Sequence, residues 1–132
     1  MEYFVGLPTF VSYFATATVL VTVYLTVYTL ATPHNEFALI RANNVAAAIA
    51  LGLSLLGFAL PVASAIFHAQ SLVDCLVWGL IALAVQLAVY WLVRLLLPGL
   101  SDKIAADHVG PALFLGLVSL TVGILNAASM TY

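Results

Sequence analysis

Residues 45–67 read VAAAIALGLSLLGFALPVASAIF, without one acidic or basic side chain. A helix crossing a hydrocarbon core of about 30 Å needs roughly 20 mostly apolar residues, and this stretch supplies them. It is continuously apolar rather than alternating, which sets it apart from a lipid-facing strand of a β-barrel. Working outward, the uncharged run extends from Ala42 to Val73. Three more runs share its character: Tyr3 to Asn35, Cys75 to about Leu97 interrupted only by Arg94, and Val109 to Tyr132. The expected fold is therefore all-α, a polytopic membrane protein forming one domain over residues 1–132, with four transmembrane helices at about 10–30, 45–67, 75–97 and 109–130.

Composition agrees with that reading. Of 132 residues, 65% are hydrophobic and 6% charged, with a mean hydropathy of +1.21, whereas a soluble domain is about a quarter charged. A net charge of -2, scattered along the chain, excludes a nucleic-acid partner; the partner implied is the lipid bilayer. Cys75 is the single cysteine, so it forms no intrachain disulfide, and its flanks lack metal or redox spacing. Glu2 follows Met1 and no basic segment precedes the first span, so that span is expected to be retained rather than cleaved as a signal peptide.

Lys and Arg in short loops are held on the cytoplasmic side. Arg41 lies between spans one and two, Arg94 at the end of span three and Lys103 between spans three and four, while Glu2 and Asp74 fall on the opposite face. Both termini are thus expected outside. The two halves also show a weak duplication: Ala42-Asn43-Asn44-Val45-Ala46 aligns with Ala106-Asp107-His108-Val109-Gly110, and Leu51-Gly52-Leu53 with Leu115-Gly116-Leu117. Two helical hairpins of the same orientation, a parallel repeat, follow from it.

Helices associate in lipid through close packing at small residues. Ala46, Ala50 and Ser54 recur every four residues in span two, as do Ala48 and Gly52; span four carries Ala112 with Gly116 and Ser119 with Gly123 and Ala127. These rows suit packing within the bundle or a face for self-association. Thr18, Thr22, Thr26 and Thr29 fall on one face of span one, where each hydroxyl can bond the carbonyl one turn back. Tyr13, Tyr24 and Tyr28 suit an aromatic belt and adjoining packing positions.

Polar residues within the spans are the candidate contacts. Gln86, Tyr90 and Arg94 stand at i, i+4 and i+8. Arg94 is close enough to Pro98 to snorkel to the head groups, whereas Gln86 must find a partner on another helix. Pro61 removes a backbone donor and frees the carbonyl of Gly57, and a kink is expected there. The duplication puts Asn126 near the depth of that freed carbonyl, which makes Asn126 the expected interhelical polar contact.

The loops gather the remaining polar residues, His34, Glu36, Arg41, Asn43 and Asn44 in the first and Asp107 and His108 in the second. Thr32 as cap and Pro33 at the first helical position predict a short interfacial helix before Asn43, and Ser101-Asp102-Lys103 a similar turn later. His34, Glu36, Asp107 and His108 are of metal-binding type, but without HExxH or paired-cysteine spacing solvated helix caps are expected instead. No metal, no cofactor and no catalytic residue is expected: GxSxG, P-loop and GxGxxG patterns are all missing from the sequence.

The segment Thr32-Pro33-His34-Asn35-Glu36-Phe37-Ala38-Leu39-Ile40-Arg41-Ala42-Asn43-Asn44 resembles the YjfL-like inner-membrane proteins (domain of unknown function 350), a family of unknown function. The likeness runs nearly end to end, through Leu56-Gly57, Leu60-Pro61, Trp78-Gly79, Gln86-Leu87, Leu97-Pro98 with Ile104, and the closing Gly123 to Tyr132. Ser129 and Tyr132 stand where Cys and Trp are expected in a close relative. The resemblance implies a bacterial inner-membrane location and a four-span module. It further implies company with genes of the membrane-stress or phage-shock kind and with ATP-grasp ligases related to glutathionylspermidine synthesis. It brings no catalytic residue. The leading expectation is a non-enzymatic component that forms homo-oligomers, dimers or higher, and meets cytoplasmic protein partners at its loop face. The alternative is a small oligomeric ion channel or transporter.

Overall fold

A computed structural model of the protein describes residues 5–130; Glu2, Tyr3, Thr131 and Tyr132, used above, lie outside them. The helices follow in the order α1 (Leu7–Ala31), α2 (Glu36–Arg41), α3 (Val45–His68), α4 (Leu72–Leu96), α5 (Leu100–Ala105) and α6 (Val109–Ser129). Four of them, α1, α3, α4 and α6, are long and apolar enough to cross a membrane.

Local chemistry sets the helix ends. The Asn44 side chain accepts from the Ala47 N–H and starts α3; the Ser71 side chain accepts from the Asp74 N–H and starts α4 at Leu72, ahead of the expected Cys75. Such caps satisfy amide donors that the first turn leaves free. The expected start of α2 is corrected. The Thr32 N–H bonds the Tyr28 carbonyl at 3.0 Å, which assigns Thr32 to the end of α1, and Asn35 rather than Thr32 caps α2, accepting from the Ala38 N–H at 3.2 Å. Gly99 enters α5 with φ of +71°, a left-handed conformation that costs glycine little.

The helices recur at matching intervals. From Leu7 to Leu72 and from Ala31 to Leu96 the step is 65 residues; from Glu36 to Leu100 and from Val45 to Val109 it is 64. Asn43 and Asp107, also 64 apart, both take positive φ, 67° and 63°.

The core is the seam between α3 and α6. Ala46, Ala50, Ser54 and Gly57 of α3 and Ala112, Gly116, Ser119 and Gly123 of α6 are buried, so these small-residue rows pack against one another inside one chain. A methyl group at Gly57 would collide with the Ser119 backbone, and one at Gly123 with the Gly57 backbone. Ala48 and Gly52 instead point outward, and a methyl group at Gly52 would meet nothing within 4 Å.

Against that seam α1 is held by its C-terminal half. Leu20, Tyr24 and Tyr28 are buried, while Leu7, Phe10, Val11, Phe14 and Val19 are exposed. Apolar grooves flank this outer half, one against α4 at Leu72, Val73 and Leu76 and one against α3 at Ile66 and the residue after its end, Ala69. Thr18, Thr22, Thr26 and Thr29 bond the carbonyls of Phe14, Thr18, Thr22 and Leu25 at 2.8–2.9 Å, so the threonine stripe needs no partner helix.

Candidate functional site: two polar layers and a loop clasp

Three arrangements inside the bundle gather the polar groups. The deepest is centred on Gln86 of α4, which is 1% exposed. Its Nε2 donates to the Gly57 carbonyl of α3 at 3.0 Å and to the Ser119 carbonyl of α6 at 3.2 Å. Pro61 lacks the N–H that would bond Gly57 in an unbroken helix, and the amide of Gln86 supplies the missing donor from another helix. One side chain thereby joins three spans. Beside it the Ser54 hydroxyl donates to that of Ser119 at 3.4 Å.

The second layer lies where α1 gives way to α2. Glu36, expected as a solvated loop residue, is buried at 1% exposure, because α2 turns its first residue inward. His34 Nε2 is 3.2 Å from Glu36 Oε1, the two side chains 6% and 1% exposed. The contact has ion-pair distance without hydrogen-bond alignment, and neither carboxylate oxygen accepts a hydrogen bond. His34 Nδ1 bonds the Ser101 hydroxyl of α5. The Tyr28 ring of α1 and the Tyr90 ring of α4 meet edge to face with centroids 5.4 Å apart. The buried hydroxyls of Tyr24 and Tyr90 make no hydrogen bond.

The third arrangement is a clasp between the two loops. While its oxygen caps α3, Asn44 donates from Nδ2 to the Ile104 and Ala105 carbonyls, both at 3.2 Å, at the end of α5. Asp107 reciprocates by accepting from the Ala46 N–H at 2.9 Å, which places a negative side chain at the α3 N-terminus, where the helix dipole favours it. Each loop thus satisfies a helix end belonging to the other half.

The sequence-expected residues divide accordingly. Gln86, Gly57 and Pro61 come together. Asn126 does not join them: its Nδ2 is buried without a partner, and the carbonyl that the duplication pairs with it is occupied by Gln86. At Asn126's end of the seam the α3–α6 bridge is the Ser64 hydroxyl, which donates to the Ala127 carbonyl at 2.8 Å. Arg94 is exposed at the end of α4, one turn beyond buried Tyr90. His34 and Glu36 meet each other but not Asp107 or His108, which are exposed, and among the described residues no three such side chains cluster as a metal site would require. Arg41 and Asn43 are exposed.

Residues 2–130 match the family described as Domain of Unknown Function (DUF350). The chain belongs to the DUF350 family. It is 42% identical over 127 residues to the UPF0719 inner membrane protein YjfL of Escherichia coli strain K12, covering 96% of each chain, and equally to that of Escherichia coli O157:H7. No solved structure matches it.

In this DUF350 chain, sequence reasoning misses the tyrosine shell. Tyr24 and Tyr28, expected in an aromatic belt and at adjoining packing positions, are packed, 0% and 1% exposed, and their closeness to Glu36 is the part not expected; with Leu20 they form an i, i+4, i+8 row, the available sign that this half of α1 is its packed face. Ser101 carries no sign, because its contact with His34 spans 67 residues.

Proposed function

We propose that this DUF350 protein is a non-enzymatic component of the bacterial inner membrane, serving a membrane or envelope-stress system by self-association and by docking cytoplasmic proteins at its loop end. The observation that carries the reading is the Gln86 bridge, in which the amide of a mid-span residue bonds carbonyls on two other helices. A conducting protein needs polar groups turned toward a wet path; here the Gln86 amide nitrogen is spent on two neighbouring helices, which suits a scaffold. The inner-membrane name of the Escherichia coli relatives supports the location. Arg41, Arg94 and Lys103 support a cytoplasmic loop end with both termini outside, and the steps of 64 and 65 residues support descent from a duplicated hairpin.

With Ala46, Ala50, Ser54 and the α6 row used within the chain, the outward-facing Ala48 and Gly52 offer a small-residue face to a second copy. Exposed Arg41, Asn43, Asp102, Asp107 and His108 at the loop end offer the polar surface for a soluble partner. Reconstitution into liposomes tests the reading: Na⁺, K⁺ and H⁺ flux should equal that of empty vesicles, and the particle mass in nanodiscs should exceed one chain. Selective flux of any of these ions would replace it with the channel reading.

A further inference from the structure

We propose that Glu36 and His34 form a buried proton-binding site at the junction of the two halves, in which one exchangeable proton is held between carboxylate and imidazole. A carboxylate at 1% exposure with no hydrogen bond to either oxygen does not persist as a lone anion, since an unpaired buried charge is strongly destabilising and such groups take up a counter-charge or a proton. Among the described residues, the one cationic type within 4 Å is His34, 3.2 Å away. The pair is neutral with one proton, whether written as carboxylate with imidazolium or as carboxylic acid with imidazole. It is anionic with none and cationic with two, and both of those states leave a net charge buried.

The surroundings add no competing cation. The titratable groups within electrostatic range of Glu36 are the phenols of Tyr24 and Tyr28 on α1 and of Tyr90 on α4, and Ser101 on α5 stands behind the imidazole. Arg94 stands next to Tyr90 with its residue exposed. His34 is flanked in sequence by exposed Pro33 and Asn35, and its two ring nitrogens face Ser101 and Glu36. A proton arriving on the ring reaches Oε1 from Nε2 across the 3.2 Å contact once the ring turns into line with the carboxylate, without ion or co-reactant. Because His34 precedes α2 and Ser101 belongs to α5, protonation of the ring also bears on how the two halves meet.

The test is infrared difference spectroscopy of the full chain in nanodiscs as pH is stepped, on wild type, Glu36→Gln and His34→Gln. Beside the bands of the solvated carboxyls, wild type should show a titrating carboxylic-acid carbonyl band shifted to higher wavenumber by the dry site, Glu36→Gln should lack that shifted band, and His34→Gln should keep it while moving its midpoint by at least tenfold in proton concentration. Replacing Na⁺ by K⁺ or choline should change nothing. The proposal is overturned by a wild-type spectrum without such a band, by its survival in Glu36→Gln, by an unmoved midpoint in His34→Gln, or by a midpoint that follows Na⁺ or K⁺ and so marks an alkali-cation site. If Glu36→Gln does not fold, the His34→Gln midpoint and the cation exchange still decide it.

Discussion

The seam between α3 and α6 and the outer half of α1 are built from similar apolar residues, yet one is closed backbone to backbone and the other stands open beside two grooves. Lipid explains the difference. Burying a leucine against a helix gains little when its alternative is a hydrocarbon tail, so association follows how closely backbones approach and which polar groups bond across. The seam has Gly57, Gly116, Ser119 and Gly123 at its contacts and the Gln86 bridge over it. The outer half of α1 has Phe10, Val11 and Phe14 facing outward and hydroxyls already bonded to its own backbone.

Substitutions should rank by that contrast. Gly123→Leu should have the largest effect, at least about 3 kcal/mol, since overpacking of a closed contact costs about 1–3 kcal/mol and sometimes more and the obstacle here is the Gly57 backbone. Reversible unfolding in mixed micelles measures it, and a neutral result would mean the seam is looser than described. Gln86→Leu should cost about 1 kcal/mol, in the range of interhelical bonds in membranes; its effect should shrink in a Pro61→Ala background, where the helix supplies its own donor to Gly57. Gly79→Ala should cost less again, about 0.5 kcal/mol, because the obstacle is the end of the Leu20 side chain, which can turn aside. Thr22→Val on α1 should be neutral within about 0.5 kcal/mol, its hydroxyl bonding only the Thr18 carbonyl. A larger loss there would show that the threonine face has a partner, which would erase the contrast.

How much of this is legible in the sequence follows from the range of each interaction. Uncharged length alone places four spans, whereas spacing of small residues offers two rows on α3, of which Ala46, Ala50 and Ser54 pack and Ala48 and Gly52 face outward. The need of Gln86 for a partner is legible, and so is the carbonyl freed by Pro61; that each answers the other is not, because the contact joins positions 29 apart. Repeat alignment pairs Asn126 with that carbonyl instead, and its one-residue shifts are enough to turn a side chain about 100° around a helix. The burial of Glu36 is hidden for a different reason. A carboxylate two residues after His34 in a polar loop reads as solvated, and only the turn of α2 under the tyrosines of α1 and α4 reverses that.

The central claim is that α3 and α6 of a single chain close on each other, and a double-cysteine variant tests it most directly. Ser54→Cys with Ser119→Cys, in a Cys75→Ala background, replaces hydroxyls 3.4 Å apart. Mild oxidation in native membranes should consume both thiols while the protein still migrates as one chain. Covalent dimers as the main product, with the single-cysteine variants unlinked, would place α3 of one copy against α6 of another and contradict the account.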